Sequence, residues 1–137
     1  MGLCNLDLVD DAIASRKRLY EKYVDCLSGL SLRFQKVVAS KYNYSYMPVL
    51  FETERERDSV YSLLLEEGIK SRKYFYPLTV NFDYFKASGV NLVEKFGLIN
   101  ANMVANRILC LPLYPKLEES LVENVASLIK RNHDQYF

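Results

Sequence analysis

The chain has 137 residues, with 18 Lys+Arg against 17 Asp+Glu and one His, for a formal net charge of +1. It is 50% hydrophobic, 26% charged and 13% aromatic, the make-up of one globular domain able to build its own core. That balance excludes a nucleic-acid binder working by bulk positive charge, and it offers no polybasic membrane anchor.

Apolar residues recur at helical spacing over residues 5–27: Leu6, Val9, Ile13, Tyr20, Tyr23, Val24 and Leu27. Ser28 and Gly29 close that segment. Such a helix is about 34 Å long at 1.5 Å per residue. A domain of this size does not need that reach, so part of the helix is expected to lie toward something else. Residues 30–34 alternate and read as a short strand. Residues 41–51 read as a second strand, with Tyr42, Tyr44 and Tyr46 on one face and Pro48 marking an edge or a bulge.

Thr53 and Glu56 form a capping box. The helix they open carries Val60, Leu63, Leu64 and Ile69 and is closed by Gly68. Residues 72–76 read as a third strand stopped by Pro77. Residues 79–97 are less regular, a loop with a helical turn whose Phe82, Tyr84, Phe85 and Phe96 are expected to pack inward. Residues 100–107 read as helix and 109–113 as a short buried strand. Leu117, Leu121, Val122, Val125, Leu128 and Ile129 then mark an amphipathic helix that runs into a polar tail from residue 130. This order predicts an α+β fold: a long N-terminal helix, then a small, mostly antiparallel sheet of three to four strands with helices packed on one side.

Little self-contained chemistry is on view. Cys4, Cys26 and Cys110 are odd in number and lack a CxxC spacing, so they read as reduced apolar residues of a cytoplasmic protein. His133 sits in the polar tail and reads as a solvated end residue, a poor place for a catalytic base. Glycine-rich phosphate loops are missing, and no metal site is expected. The pairs Asp10/Asp11, Glu66/Glu67 and Glu118/Glu119 read as solvated helix faces. No apolar run approaches the roughly 18–20 residues that span a bilayer. One segment is richer: in residues 68–78, Lys70, Arg72 and Lys73 adjoin Tyr74, Phe75 and Tyr76. The plain reading is a strand edge with a cationic rim. The functional reading is that Arg72, Tyr74 and Tyr76 share a face, where Arg grips a phosphate or carboxylate and tyrosines meet a sugar-like ligand. A single-stranded nucleic-acid platform uses the same ingredients, and the neutral charge argues against it.

The succession GLCNLDLVDDAIASRKRLYEKYVDCL, YSYMPVLF, LLLEEGIKSRKYFYPL and ANRILCLPLYPKLEESLVENVASLIK resembles the C-terminal part of the DegT–StrS family of sugar aminotransferases. The resemblance runs from Gly2 to about Arg131. It implies the small domain of the aspartate-aminotransferase fold, in enzymes that use pyridoxal phosphate to aminate keto sugars carried on nucleotides for surface polysaccharides or antibiotic sugars. By that resemblance residues 1–29 are the linker helix leading from a large cofactor domain, and residues 30–137 are the small domain. The family's Schiff-base lysine and cofactor contacts belong to the large domain. Lys70 and Lys73 match non-catalytic positions, so no residue here is assigned to the cofactor and the chain alone is expected to be inactive. Carried over by position, Arg72, Tyr74 and Tyr76 are the substrate-binding candidates, with Pro77 shaping their loop. Many relatives carry a histidine or an aromatic just after the Pro-Leu pair, where Thr79 and Val80 stand here. The first helix would lose its cover along Leu3, Leu6, Val9 and Ile13, so a homo-oligomer, most simply a symmetric dimer, is expected. A second reading keeps the fold as a non-catalytic binding or interaction module that partners a separate cofactor domain.

Overall fold

The computed structural model describes residues 3–87 and 89–134. Four strands, β1 (Arg33–Phe34), β2 (Met47–Leu50), β3 (Arg72–Lys73) and β4 (Ile108–Leu111), pair antiparallel in the order β1-β2-β4-β3. The helices are α1 (Val9–Cys26), α2 (Glu54–Glu66), α3 (Asp83–Lys86), α4 (Leu92–Lys95), α5 (Ile99–Arg107) and α6 (Glu119–His133). Short 3₁₀ turns at Leu3–Leu8 and Thr79–Asn81 precede α1 and α3.

Strand alternation divides the sheet into two faces. Met47 pairs opposite Leu111 and Val49 opposite Leu109, and all four side chains are buried in the core. Over them lie Leu19, Tyr23 and Leu27 of α1 and its end, Val60 and Leu64 of α2, and Val122, Val125, Leu128 and Ile129 of α6. The other face carries Pro48 opposite Cys110 and Leu50 opposite Ile108, and α1, α2 and α6 leave it open. The fold is therefore the expected α+β arrangement, an antiparallel sheet with its main helices on one side.

Local chemistry explains the elements. Thr53 is extended and its hydroxyl accepts from the Glu56 backbone N–H at 3.1 Å, which starts α2. Gly68 ends that helix at φ +72°, a conformation that L side chains rarely adopt, and lets the Ile69 N–H reach back to the Leu64 carbonyl at 2.8 Å. Across the α1–α6 seam, Ser15 donates to the Pro115 carbonyl at 2.6 Å, Lys22 meets Glu123 at 2.6 Å and Arg18 meets Glu119 at 3.3 Å. Tyr23, fully buried, donates to the Pro112 carbonyl at 3.1 Å, and burial pushes its phenol far above the usual range.

Several expectations change. The second strand is four residues, because Tyr44 turns to φ +49° and breaks the alternation before Met47. Pro48 stands in an interior strand. β1 pairs only with Val49 and Leu50, so the ladder on that side ends before the residue that lacks an N–H. The third strand stops at Lys73, because the chain turns at Phe75 (φ +49°). Phe82, Tyr84 and Phe96 face outward, since residues 79–97 form separate short helices that do not fold over the core. His133 is the last residue of α6 and largely buried, not a solvated end: its Nδ1 lies 2.9 Å from the Glu56 carboxylate. The side chains of Leu3 and Cys4, and residues 135–137 of the expected tail, lie outside the described residues.

Candidate functional site

The open face of the sheet is the floor of a cleft of about 710 Å³. Its floor is Pro48, Leu50, Ile108 and Cys110, α5 closes one side with Ala101 and Val104, and tyrosines Tyr42, Tyr46 and Tyr74 form a wall. Aromatic rings meet in two groups: Tyr20–Tyr44 at 5.5 Å with Tyr42–Tyr44 at 4.9 Å, and Tyr46–Tyr74 at 5.2 Å with Tyr74–Phe75 at 4.3 Å between centroids. Such edge and tilted contacts hold rings in fixed positions. Among the described residues lining the cleft, Arg33 alone carries a charge, and none is a lysine or a carboxylate. Burial, reinforced by neighbouring tyrosines, raises the phenols of Tyr42 and Tyr20, so both stay neutral donors at ordinary pH. Burial also pushes the Cys110 thiol up to about 11, against the opposing pull of the Arg72 charge, so it is not a nucleophile there.

The four sequence candidates do not stand together. Arg72 pairs opposite Cys110, which puts it on the open face, exposed, with its charge felt at the thiol. Tyr74 enters the cleft. Tyr76, on the far side of the turn at Phe75, faces α2. Its ring covers the Arg57 guanidinium at 4.5 Å, and its hydroxyl donates to Glu54 Oε1 at 2.9 Å. That bond, with burial and the Glu54 charge, raises the Tyr76 phenol. The Tyr76–Pro77 peptide is cis, and both residues border a second depression of about 650 Å³ with Glu54, Asn81, Phe82 and Asn106. A shared face for Arg72, Tyr74 and Tyr76 is thus replaced by two faces, because period-2 alternation ends with the strand at Lys73.

Sequence reasoning missed the ion cluster behind this loop. Arg57 is wholly buried. Its Nη1 donates to the Ala105 carbonyl at 3.4 Å, and its Nη2 to Glu54 at 3.4 Å. Its Nε touches Asp58 Oδ1 at 2.6 Å, an ion-pair contact at an angle poor for hydrogen bonding. Lys73 completes the group, 2.7 Å from the same Asp58 oxygen and over the rings of Tyr61 and Tyr76 at 4.8 and 5.3 Å. One sequence signal pointed there: Arg57, Val60 and Leu64 follow i, i+3, i+7 spacing, which sets a cation on the apolar stripe of α2.

Comparison with known proteins gives a consistent picture. The model of the DegT/DnrJ/EryC1/StrS aminotransferase family matches residues 1–130. A dTDP-4-amino-4,6-dideoxy-D-glucose transaminase of Escherichia coli is 35% identical over 133 residues, 93% of this chain and 35% of that protein. The fold matches DesI, solved in the presence of its TDP-sugar product, with a TM-score of 0.83, 23% identity and coverage of 99% of this chain and 36% of that one. It matches the PLP form of Spr1654 from Streptococcus pneumoniae with a TM-score of 0.80, 19% identity and coverage of 99% and 35%. The chain thus spans about a third of the length of these relatives, which belong to a pyridoxal-phosphate-dependent group. No described helix is long and apolar enough to cross a membrane. With its sequence matched over nearly its whole length and its one-sided sheet shared, the chain belongs to the DegT/DnrJ/EryC1/StrS aminotransferase family.

Proposed function

We propose that this chain is the small domain of a cytoplasmic nucleotide-sugar aminotransferase, which receives a dTDP-linked sugar while the large domain of the same enzyme carries the cofactor. In this reading residues 1–29 lead from that domain and residues 30–137 are the small domain. The observation that carries it is the open sheet face: an apolar, tyrosine-walled cleft lined by Arg33, with Arg72 on the same face of the neighbouring strand and no carboxylate among the described lining residues. Tyrosine rings and hydroxyls suit a sugar or base, and Arg33 and Arg72 suit phosphate oxygens. The dTDP-sugar transaminase among the relatives supplies the substrate class.

Pyridoxal phosphate, when bound, supplies the electron sink for amino transfer and needs a lysine placed at its reactive carbon with an acidic partner at the ring nitrogen. The residues here do not fit it. The cleft offers neither group, Lys73 is engaged by Asp58 on the helix side, and Lys70 is an exposed residue before β3. Amino transfer by this chain alone is therefore not expected. Titrating the ¹⁵N-labelled chain with dTDP-glucose is expected to shift the amides of Arg72 and Tyr74 saturably, with a Kd on the order of millimolar. No shift at those positions at several millimolar would sink the reading, and so would a stoichiometric cofactor absorbance that survives dialysis against buffer.

The reading extends to self-association. Leu6 and Leu8 of the 3₁₀ turn and Val9 at the start of α1 are exposed, apolar surface that a second copy would cover. Sedimentation equilibrium is expected to give a mass rising above 15.9 kDa with concentration. A constant monomer mass up to high concentration overturns it.

A further inference from the structure

Among the described residues Arg57 is the one buried cation. Burying a charge is a poor way to gain stability, so what it holds matters more than that it is held. Its contacts converge on the 72–78 loop from both ends. Upstream, Lys73 is tied to Asp58, the same carboxylate that touches Arg57 Nε. Downstream, the Tyr76 ring lies over the guanidinium and its hydroxyl bonds to Glu54, the same oxygen that accepts from Arg57 Nη2. Between these two anchors stand Tyr74 and Phe75, which line the cleft on the other side of the sheet. The third attachment of Arg57, to the Ala105 carbonyl on α5, ties the cluster to the helix that walls the same cleft.

We propose that Arg57 is the positioning residue of the 72–78 loop: its buried guanidinium pins Lys73 through Asp58 and Tyr76 through the face of its ring, and so fixes Tyr74 in the cleft. Any ligand role for Tyr74 rests on the function proposed above; the pinning does not. Arginine suits the task because its planar fork can stack on a ring and serve several oxygens at once, which a lysine ammonium cannot.

The test is backbone relaxation and ring NOE measurement on the whole chain. In the wild type, the Tyr74 and Phe75 amides are expected to be as ordered as β4, with an NOE between the Tyr46 and Tyr74 rings. Tyr76→Leu removes the ring from the guanidinium. It is expected to drop the order parameters of Tyr74 and Phe75 from about 0.85 to below about 0.6 and to erase that NOE, while β2 and β4 stay rigid. Arg57→Met should do the same, and Tyr76→Phe, which keeps the ring, should retain order and NOE. Because Tyr76 is partly exposed, Tyr76→Leu decides the matter even if Arg57→Met fails to fold. An unchanged loop in Tyr76→Leu overturns the proposal, as does a loss of order spread evenly over the sheet. Where dTDP-glucose binds, Tyr76→Leu should weaken it at least about tenfold, through lost preorganisation, and Tyr76→Phe should not. A loop that loosens as expected in a chain whose wild type gives no shift at Tyr74 keeps Arg57 in its role and removes the ligand role of Tyr74.

Discussion

Leu109→Ala is expected to lower the unfolding free energy by about 3 kcal/mol, within the roughly 2–5 kcal/mol that such truncations cost in sealed cores. Leu109 is fully buried and flanked on both sides, by Val49 of β2 and Lys73 of β3. Its strand is interior, so the backbone cannot close on the void without breaking a ladder, and the helices above are braced by the α1–α6 ion pairs. Urea unfolding followed by circular dichroism should show the midpoint falling at unchanged slope. An unmoved midpoint would mean that the helix-facing side of β4 is not packed as described.

Arg57→Ala is expected to cost about 3 kcal/mol, roughly 1 from the broken ion pairs and the rest from the cavity left by the buried stem. The ion-pair share is small because Glu54 and Asp58 are both half-exposed and regain water once the cation is gone, and Asp58 keeps Lys73. Arg57→Met keeps most of the buried stem and should cost less, about 1 kcal/mol. The same urea titration separates the cases. Equal losses in the two variants would assign the effect to the charge, and a loss under about 0.5 kcal/mol in Arg57→Ala, the size of an ordinary surface change, would contradict the packing.

Much of this fold is written locally. The Thr53 cap of α2, the stop at Gly68 and the amphipathic stripe of α6 are short-range chemistry and form where the residues predict, while the Glu56 half of the expected capping box accepts from the Glu52 N–H in place of the Thr53 N–H. Long-range features are harder to read. β1 and β3 have two residues each, too few for an alternation to show, and they exist because β2 and β4 offer them edges. The tyrosine alternation over residues 42–46 was real as a pattern and misleading as a strand, because a single positive φ at Tyr44 reverses it. The turn at Phe75 does the same to the candidate site, sending Tyr74 and Tyr76 to opposite sides. His133 looked idle because its partner Glu56 is 77 positions away. Arg57 was visible only as a cation on an apolar stripe, a pattern that says burial without saying with whom.

α1 is 18 residues long, about 27 Å at 1.5 Å per residue, and only its C-terminal half is seated in the core through Leu19, Tyr20 and Tyr23. It is a cantilever, fixed at one end and bare at the tip. A degree of tilt at the clamp becomes a displacement at Leu6 and Val9 that grows with distance along the beam. The hydroxyl of Ser15 and the ammonium of Lys22 act as stays on its flank, so they govern the aim of a surface they never touch. A partner at that tip would be oriented by residues six to sixteen positions along the chain, and loosening a stay would misalign the meeting without altering a single contact within it.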